Sequence, residues 1–374
     1  MLVVRAAHLL VLALLLLPSE RVSAQETVAY QAARVIPVVG EPLTPGMVVV
    51  AGGKIVAVGK PESLPKDVTL IDLGDGTIFP GIIDAGCHLG MQRNQGSTLG
   101  PVTPKARVAD AFNRAEISTT ALFEAGVTSI HVLFYDSNAI SGRSAVFGVQ
   151  SESGAAPLLP EGPLQISLSR AALNPAQAPT SPVGVMELLT SMRASGEIEP
   201  LIQLHHAPLV WVSTSQEARL ALGLGDLGFS KHPWVMGGAA TAKYAQDWAG
   251  KIGGVIFEPL MPSARNEVRN IPASVAAAGL PVAFASRSPQ MGAGMLRVSA
   301  AVAVLGGLSR KDAHAGLTRS VAGLLGLEGQ IGSLEPGARA DFVYWTSDPI
   351  DLDSRVLTVF SGGKKVFDRR EGEQ

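Results

Sequence analysis

Apolar segments that alternate with segments of helical periodicity are the feature that most constrains what this 374-residue chain can fold into. In the second half, strand-like segments lie at residues 208–212, 234–236, 254–257 and 282–285. Helix-like segments lie at residues 216–222, 239–248, 273–278, 293–305 and 310–325. Alternating strands and helices form a parallel sheet with the helices outside it. The number of units favours a (β/α) barrel over residues 80–331, complete or incomplete, rather than an open sheet.

The two ends of the chain are predicted to be β-structure. Residues 27–79 contain short Val/Ile-rich runs separated by glycine and proline, and residues 332–370 return to the same pattern. Between these ends, a helix is predicted from Arg107 to Ala125, followed by a strand from Val127 to Phe134. Residues 142–162, rich in Gly, Ser, Glu and Pro, are predicted to form an excursion outside the core.

Composition excludes some classes of protein. Apolar residues make up 47% of the chain and charged residues 17%, which is typical of a large buried core. The formal net charge of -2 gives no reason to expect nucleic acid as a partner, and it leaves a small-molecule ligand open.

Residues 1–24 have the pattern of a secretory signal peptide. Arg5 supplies the positive charge, Ala6 to Leu17 form the apolar run, and Ala24 ends a small-residue cleavage site before Gln25. The run is shorter than the about 20 residues of a spanning helix, although an uncleaved membrane anchor is the alternative. We therefore expect an exported protein, periplasmic or secreted, without stable membrane insertion after cleavage.

The stretch from Phe79 to Gly90 contains a predicted buried strand that ends in polar residues. Strand side chains alternate between faces, so Asp84, Gly86 and His88 are predicted to share one face, opposite Ala85 and Cys87. Cys87 is the only cysteine, which excludes an internal disulfide and predicts a buried structural thiol.

Pro80-Gly81-Ile82-Ile83-Asp84-Ala85, followed three residues later by His88, resembles the first barrel strand of the amidohydrolase superfamily. Its imidazolonepropionase-like branch is the most similar. The segment Gly332-Ser-Leu-Glu-Pro-Gly-Ala-Arg-Ala-Asp341 resembles that family's tail. The resemblance implies a TIM-type barrel, with residues 27–79 and 332–370 joined in a composite β-sandwich. It also implies metal-dependent hydrolysis of carbon–nitrogen bonds other than peptide bonds.

The family's metal ligands are a His-x-His pair on the first strand, a lysine or glutamate and two histidines on middle strands, and a final aspartate. A catalytic zinc needs about three protein ligands and an open position for water. Here Gly86 stands in place of the first histidine, and Arg287 stands in place of the aspartate. The strands at 208–212 and 234–236 end without a histidine.

Arg287 is therefore the most informative departure from the family pattern. A guanidinium about 4 Å from a divalent ion would repel it by about 8 kcal/mol at an effective dielectric near 20. We predict that Arg287 occupies the vacated metal position and pairs with Asp84 or Glu258. The alternative is that Arg287 lies on a solvated loop.

The remaining histidines lack paired ligand spacing. His131 is predicted to be a hydrogen-bonded core residue, and His205, His206, His232 and His314 are not expected to bind metal. The pattern Gly223-Leu-Gly225-Asp-Leu-Gly228 follows a predicted helix rather than a strand, so it is not expected to bind a dinucleotide. Ser213 to Ser215 are explained by a helix N-cap.

Two functional hypotheses follow. In the first, the metal site is lost, no cofactor is bound, and the protein has a non-catalytic binding or structural role; His88, Asp84 and Arg287 are then the candidate site residues. In the second, the protein is an active amidohydrolase that holds a divalent metal such as zinc at an unusual or mononuclear site around His88.

Overall fold

The structure is a computed structural model that describes residues 27–63, 68–92, 100–136, 138–150, 156–173, 178–202, 206–237 and 245–369. The predicted signal peptide, residues 1–24, lies outside the described residues. Within the described ranges, no helix combines the length and the apolar character needed to cross a membrane.

The strands are short and mostly buried. They are β1 Val28–Ala32, β2 Arg34–Val35, β3 Gly46–Ala51, β4 Lys54–Gly59, β5 Thr69–Asp72, β6 Thr77–Pro80, β7 Ile82–Cys87, β8 Val127–Val132, β9 Ile140–Arg143, β10 Ala145–Gly148, β11 Leu164–Ser167, β12 Leu209–Trp211, β13 Trp234–Met236, β14 Gly254–Phe257, β15 Val282–Phe284, β16 Phe342–Trp345, β17 Val356–Ser361 and β18 Lys364–Asp368.

The helices follow the strands from β7 onward. They are α1 Val108–Ala111, α2 Thr119–Glu124, α3 Pro182–Ser195, α4 Glu199–Ile202, α5 Ser215–Ala221, α6 Ala245–Trp248, α7 Asn266–Arg269, α8 Ile271–Ala277, α9 Met295–Leu305, α10 Arg310–Gly316 and α11 Arg319–Leu325.

The two chain ends form two sheets, with strand orders β4-β3-β1-β5 and β18-β17-β16-β6-β2. In the second sheet, β16 from the C-terminal segment pairs antiparallel with β6 from the N-terminal segment, with Phe342 opposite Pro80. Residues of both sheets share one apolar cluster, in which the ring of Tyr30 lies 5.2 Å from that of Phe342. The prediction that both ends are β-structure is confirmed.

The middle of the chain forms two further sheets, with orders β10-β8-β7 and β15-β14-β13-β12-β11-β9. Strands β7 and β8 are parallel to each other, as are β11 to β15 in sequence order. Helices lie between these parallel strands, so the α/β class is confirmed; of the helix predicted at 239–248, only Ala245–Trp248 lies within the described residues. The strand pairing divides these strands between two sheets and does not by itself close them into the predicted barrel.

The predicted excursion at 142–162 is wrong for its first part. Strands β9 and β10 lie in the middle sheets, where β10 pairs with β8 and β9 pairs with β11. Ala145 and Val146 have no exposed surface. Gly and Ser are common in this segment and indicate a loop, whereas its short apolar run forms a buried strand.

The predicted single helix from Arg107 to Ala125 is also wrong. The chain forms α1, then a 3₁₀ turn, then α2, with extended residues between them. The side chain of Asn113 accepts a hydrogen bond from Ala115 N, and the side chain of Ser118 caps α2 at Ala121 N. Each polar side chain satisfies helix-terminal N–H groups and so starts a new element.

Candidate functional site

Polar and aromatic side chains collect where the parallel strands of the middle sheets end. His88 follows β7, Asp136 follows β8, Ser169 follows β11, Glu258 follows β14, and Arg287 follows β15. Ligand sites of parallel α/β folds lie outside the carboxyl ends of the strands, on the loops that follow them. This end of the sheets is therefore the candidate site.

His88 is buried and held on two sides. Its Nδ1 lies 3.1 Å from the carbonyl oxygen of Leu133, so this nitrogen carries the proton and donates it. Its ring stacks on Tyr135 at 4.2 Å and lies 6.2 Å from the ring of Trp211. The contacts fix the orientation of the imidazole within an aromatic stack.

The place of a first-strand partner for His88 is occupied by apolar side chains. A β-carbon built on Gly86 would lie 2.9 Å from Leu133 Cδ1 and 2.9 Å from Met236 Cε. Both side chains belong to a buried cluster that also contains Ala85 and Ala285. A histidine side chain at position 86 would have to displace these packed side chains.

The predicted alternation of faces is interrupted here. The pairing of β7 with β8 is irregular between Asp84 and Cys87. Ala85 packs in the same cluster that Gly86 faces, whereas Cys87 belongs to a different cluster. Ala85 and Cys87 therefore do not share a face, because the irregularity shifts the period of two. Cys87 is fully buried, as predicted, and burial raises the pKa of its thiol well above the ordinary value.

Asp84 joins two strands and does not pair with Arg287. Its Oδ1 accepts hydrogen bonds from Gly86 N and Ser286 N, both at 3.0 Å, and its Oδ2 accepts one from the Ser286 hydroxyl. Burial raises the pKa of Asp84, and these three hydrogen bonds oppose that rise. The carboxylate thereby ties β7 to the segment after β15.

Arg287 pairs with Glu258, the second of the two partners predicted for it. Its Nη1 lies 3.4 Å from Glu258 Oε1, an ion pair that is too long for a strong hydrogen bond. Its guanidinium carbon lies 4.7 Å from the centre of the Trp211 ring. The side chain is 30% exposed, so the alternative of a fully solvated loop arginine does not describe it.

The backbone of Arg287 has a φ of 60°, in the left-handed region that disfavours a β-carbon. This conformation is held by hydrogen bonds from Arg287 N to Gly86 O at 3.1 Å and from His88 N to Ser288 O at 2.7 Å. A glycine would adopt it without strain, so the backbone does not explain why an arginine stands here.

The sequence analysis missed Asp136. Its Oδ1 is shielded from solvent and accepts no hydrogen bond from the described residues. Burial raises its pKa to about 6, while hydrogen bonds from the Ser167 and Ser169 hydroxyls and the charge of Arg287 lower it. The available signal was its position in the loop after a buried strand, where ligand-binding side chains commonly lie.

Of the other histidines, His131 and His314 lie in the core. His131 contacts Ala85 O at 2.9 Å and Ser144 Oγ at 2.7 Å, and burial lowers its pKa to about 4. The prediction of a hydrogen-bonded core histidine is confirmed. His314 Nε2 lies 2.8 Å from Asp348 Oδ1, His232 is exposed, and His205 lies outside the described residues.

The residues present do not fit the metal centre that the resemblance implies. In the part of the chain that the structure describes, no group of three or more His, Cys, Asp or Glu side chains is placed to hold a metal ion. His88 stands beside an aromatic stack and an arginine, and apolar side chains fill the place of its partner. This donor set does not provide the about three ligands of a zinc site.

Comparison with known proteins shows a similarity to amidohydrolases. Residues 255–366 match the Amidohydrolase family model, a segment that includes Glu258 and Arg287. An imidazolonepropionase of Maricaulis maris (strain MCS10) is 32% identical over 173 residues. The match covers 44% of this chain and spans 39% of the relative's length.

Solved structures share the fold. An amidohydrolase from Thermotoga maritima MSB8 superposes with a TM-score of 0.80 at 23% identity, covering 91% of this chain and 100% of that chain. Phenylurea hydrolase B gives a TM-score of 0.62 at 16% identity, covering 91% of this chain and 97% of that chain. Family model, curated relative and solved structures agree with the sequence resemblance: the chain is similar to proteins of the amidohydrolase family and shares their fold.

Proposed function

We propose that this protein is a non-catalytic member of the amidohydrolase family, in which a metal-free site has replaced the metal centre and binds a small molecule. The observation that carries the proposal is the position of Arg287, between the Trp211 ring at 4.7 Å and Glu258 at 3.4 Å. A cation held at this strand end disfavours a divalent ion by charge repulsion.

Packing supports the same proposal independently of charge. A second imidazole beside His88 would require the ends of the Leu133 and Met236 side chains, which face Gly86, to move aside. Without a bound metal, no group in the site lowers the pKa of a water molecule toward neutrality, and the family's hydrolytic step lacks its nucleophile. The site keeps binding groups and lacks the means to ionise water.

One observation favours the alternative, an active enzyme with a mononuclear site at His88. The Nδ1 proton of His88 is donated to the Leu133 carbonyl, which leaves the Nε2 lone pair as the possible ligand. Metal-ligating histidines commonly make such a bond with their other nitrogen. The alternative therefore places the metal on His88 Nε2.

Zinc titration of the metal-stripped protein by calorimetry tests the two candidates. The metal-free site predicts no saturable binding in wild type or in His88→Ala. Saturable binding in wild type that is lost in His88→Ala would establish the mononuclear site instead. Replacement of the exposed His232 by alanine is the matched control, since this imidazole precedes β13, whereas the candidate site lies where the strands end.

We further infer that the parallel middle strands, β7, β8 and β11 to β15, close into one barrel, with the two chain-end sheets packed as a sandwich. Bonds between β7 and the segment after β15 support closure on one side. On the other side, the Gln165 side chain of β11 bonds Phe134 N at 2.9 Å and Phe134 O at 3.2 Å. The apolar cluster shared by Tyr30 and Phe342 supports the sandwich.

Export is part of the proposal and rests on the pattern of residues 1–24. N-terminal sequencing of the mature protein from its native host tests it. A first residue of Gln25 is expected, and a chain that retains Met1 in the cytoplasm would contradict export.

A further inference from the structure

Three buried polar atoms at the candidate site make no hydrogen bond to the described residues. They are Asp136 Oδ1, Trp211 Nε1 and Arg287 Nη1, one acceptor and two donors. Arg287 Nη1 has only the long ion pair with Glu258, at 3.4 Å. Buried polar groups in native proteins nearly always make hydrogen bonds, so three atoms without one in the same place indicate that water or a ligand completes the set.

The three groups lie close to one another. The guanidinium of Arg287 covers the ring of Trp211. The charge of Arg287 lowers the pKa of Asp136, whereas burial and the charge of Glu217 raise it, so the carboxyl lies within electrostatic range of both. Ser169, which bonds Asp136, also accepts a hydrogen bond at 3.0 Å from Ser213, two residues beyond Trp211.

We propose that Asp136, Trp211 and Arg287 form the binding site for the α-ammonium and α-carboxylate groups of a free amino acid with an apolar side chain. This inference rests on the proposed function, because it names the ligand of the same metal-free site. The carboxylate accepts from Arg287 Nη1 and Trp211 Nε1, and the ammonium donates to Asp136 Oδ1. Charge-assisted hydrogen bonds of both kinds are strong and directional.

A neighbouring cavity would hold the apolar side chain of the amino-acid ligand. It has a volume of about 300 Å³ and is lined by Phe257, Glu258, Pro259, Leu260, Met261 and Val268. Glu258 belongs both to this lining and to the ion pair with Arg287, so the cavity adjoins the carboxylate position. Mostly apolar walls with a few polar groups are typical of small-molecule pockets.

A ligand series on the unchanged protein tests the proposal. Calorimetry of the full mature chain with L-leucine, 3-methylbutylamine and 4-methylpentanoate compares the amino acid with analogues that lack the carboxylate or the ammonium group. We expect L-leucine to bind and each analogue to bind at least about tenfold more weakly, as the loss of one charge-assisted hydrogen bond implies. Equal affinity of leucine and either analogue, or no binding of leucine, would overturn the proposal.

Two variants test which residue binds each charged group of the ligand. Arg287→Gln should abolish the preference for leucine over 3-methylbutylamine, and Asp136→Asn should abolish the preference for leucine over 4-methylpentanoate. Arg319→Gln and Asp226→Asn are matched controls on exposed residues outside the site, and both should keep the wild-type preferences. Preserved discrimination in a folded Arg287→Gln or Asp136→Asn protein would reject that residue's role.

The two proposals fail separately. If leucine does not bind and zinc does not bind either, the ligand class is wrong and the metal-free site stands. If zinc binds in a way that depends on His88, the proposed function itself is wrong.

Discussion

At the scale of single residues, two features distinguish the described site from a metal centre. Metal ligands of the family pattern are missing from it, and apolar side chains fill part of it. Gly86 and Arg287 are visible in the sequence as departures from the family pattern, and the partner Glu258 was one of two predicted. The apolar filling by Leu133 and Met236 was not predictable, because it depends on side chains from separate strands meeting in space. Asp136 was missed because the predicted strand ended at Phe134 and left it in an unassigned loop.

Restoring the missing histidine should therefore destabilise the protein without creating a metal site. In Gly86→His the new side chain meets Leu133 and Met236 already at its β-carbon, 2.9 Å from each. Overpacking of this kind costs about 1–3 kcal/mol of unfolding free energy. Urea unfolding measures the loss, and Gly225→His, at a position with no atom within 4 Å of its β-carbon, is the control. A Gly86→His protein as stable as wild type that gains zinc would contradict the packing argument.

At the scale of elements, strands buried on both faces were the most predictable. The predicted bounds of β13 and β14 agree with the structure, because turn residues on both sides of a short apolar run limit where the strand can begin and end. Helices were predicted too long where the chain makes an internal turn. Residues 310–325 form α10 and α11, separated at Thr318, where the backbone leaves the helical region.

One buried carboxylate fixes α10 against the C-terminal segment. Asp348 accepts hydrogen bonds from His314 Nε2 at 2.8 Å and Ile350 N at 3.0 Å, and Arg34 and Arg310 each lie 3.4 Å away. Burial raises the pKa of Asp348, but the hydrogen bonds and the nearby positive charges outweigh it, and the net pKa is lowered.

Asp348→Asn should lower the unfolding free energy by about 2 kcal/mol at pH 7, since the buried His314 and the Ile350 N–H lose the charge of their hydrogen-bond acceptor. Because the folded pKa lies below the unfolded value of about 3.9, the stabilisation by Asp348 is present above that pH and is lost as pH falls through the lowered pKa. The difference in unfolding free energy between wild type and Asp348→Asn should therefore decrease at acidic pH. Asp353→Asn, on an exposed side chain, is the control; equal stability of Asp348→Asn and wild type at pH 7 would contradict the role of this residue.

At the scale of the whole molecule, the fold depends on the C-terminal segment completing a sheet begun at the N-terminus. Strand β16 lies between β6 and β17 and is buried throughout. The sequence predicted β-structure at both ends, and the family resemblance implied that the ends meet. Periodicity alone could not predict that pairing, because it joins residues more than 250 positions apart, such as Phe342 and Pro80.

Deletion of residues 332–374 should therefore prevent folding rather than remove an independent module. The truncated chain would expose β6 and its apolar cluster, and we expect it in the insoluble fraction. Deletion of residues 1–24 is the control and should leave a soluble, folded protein, since every described strand is retained. A soluble 25–331 fragment with cooperative thermal unfolding would show that the two parts fold separately.

We propose that the whole protein, as it is made in the cell, is a scaffold similar to the amidohydrolases that holds no catalytic metal. Elemental analysis of the mature protein, purified from its native host without chelators, tests this claim most directly. The metal-free site predicts that zinc, iron, manganese, nickel and cobalt are all substoichiometric, in wild type as in His88→Ala. A stoichiometric divalent metal in wild type that is absent from His88→Ala would contradict it.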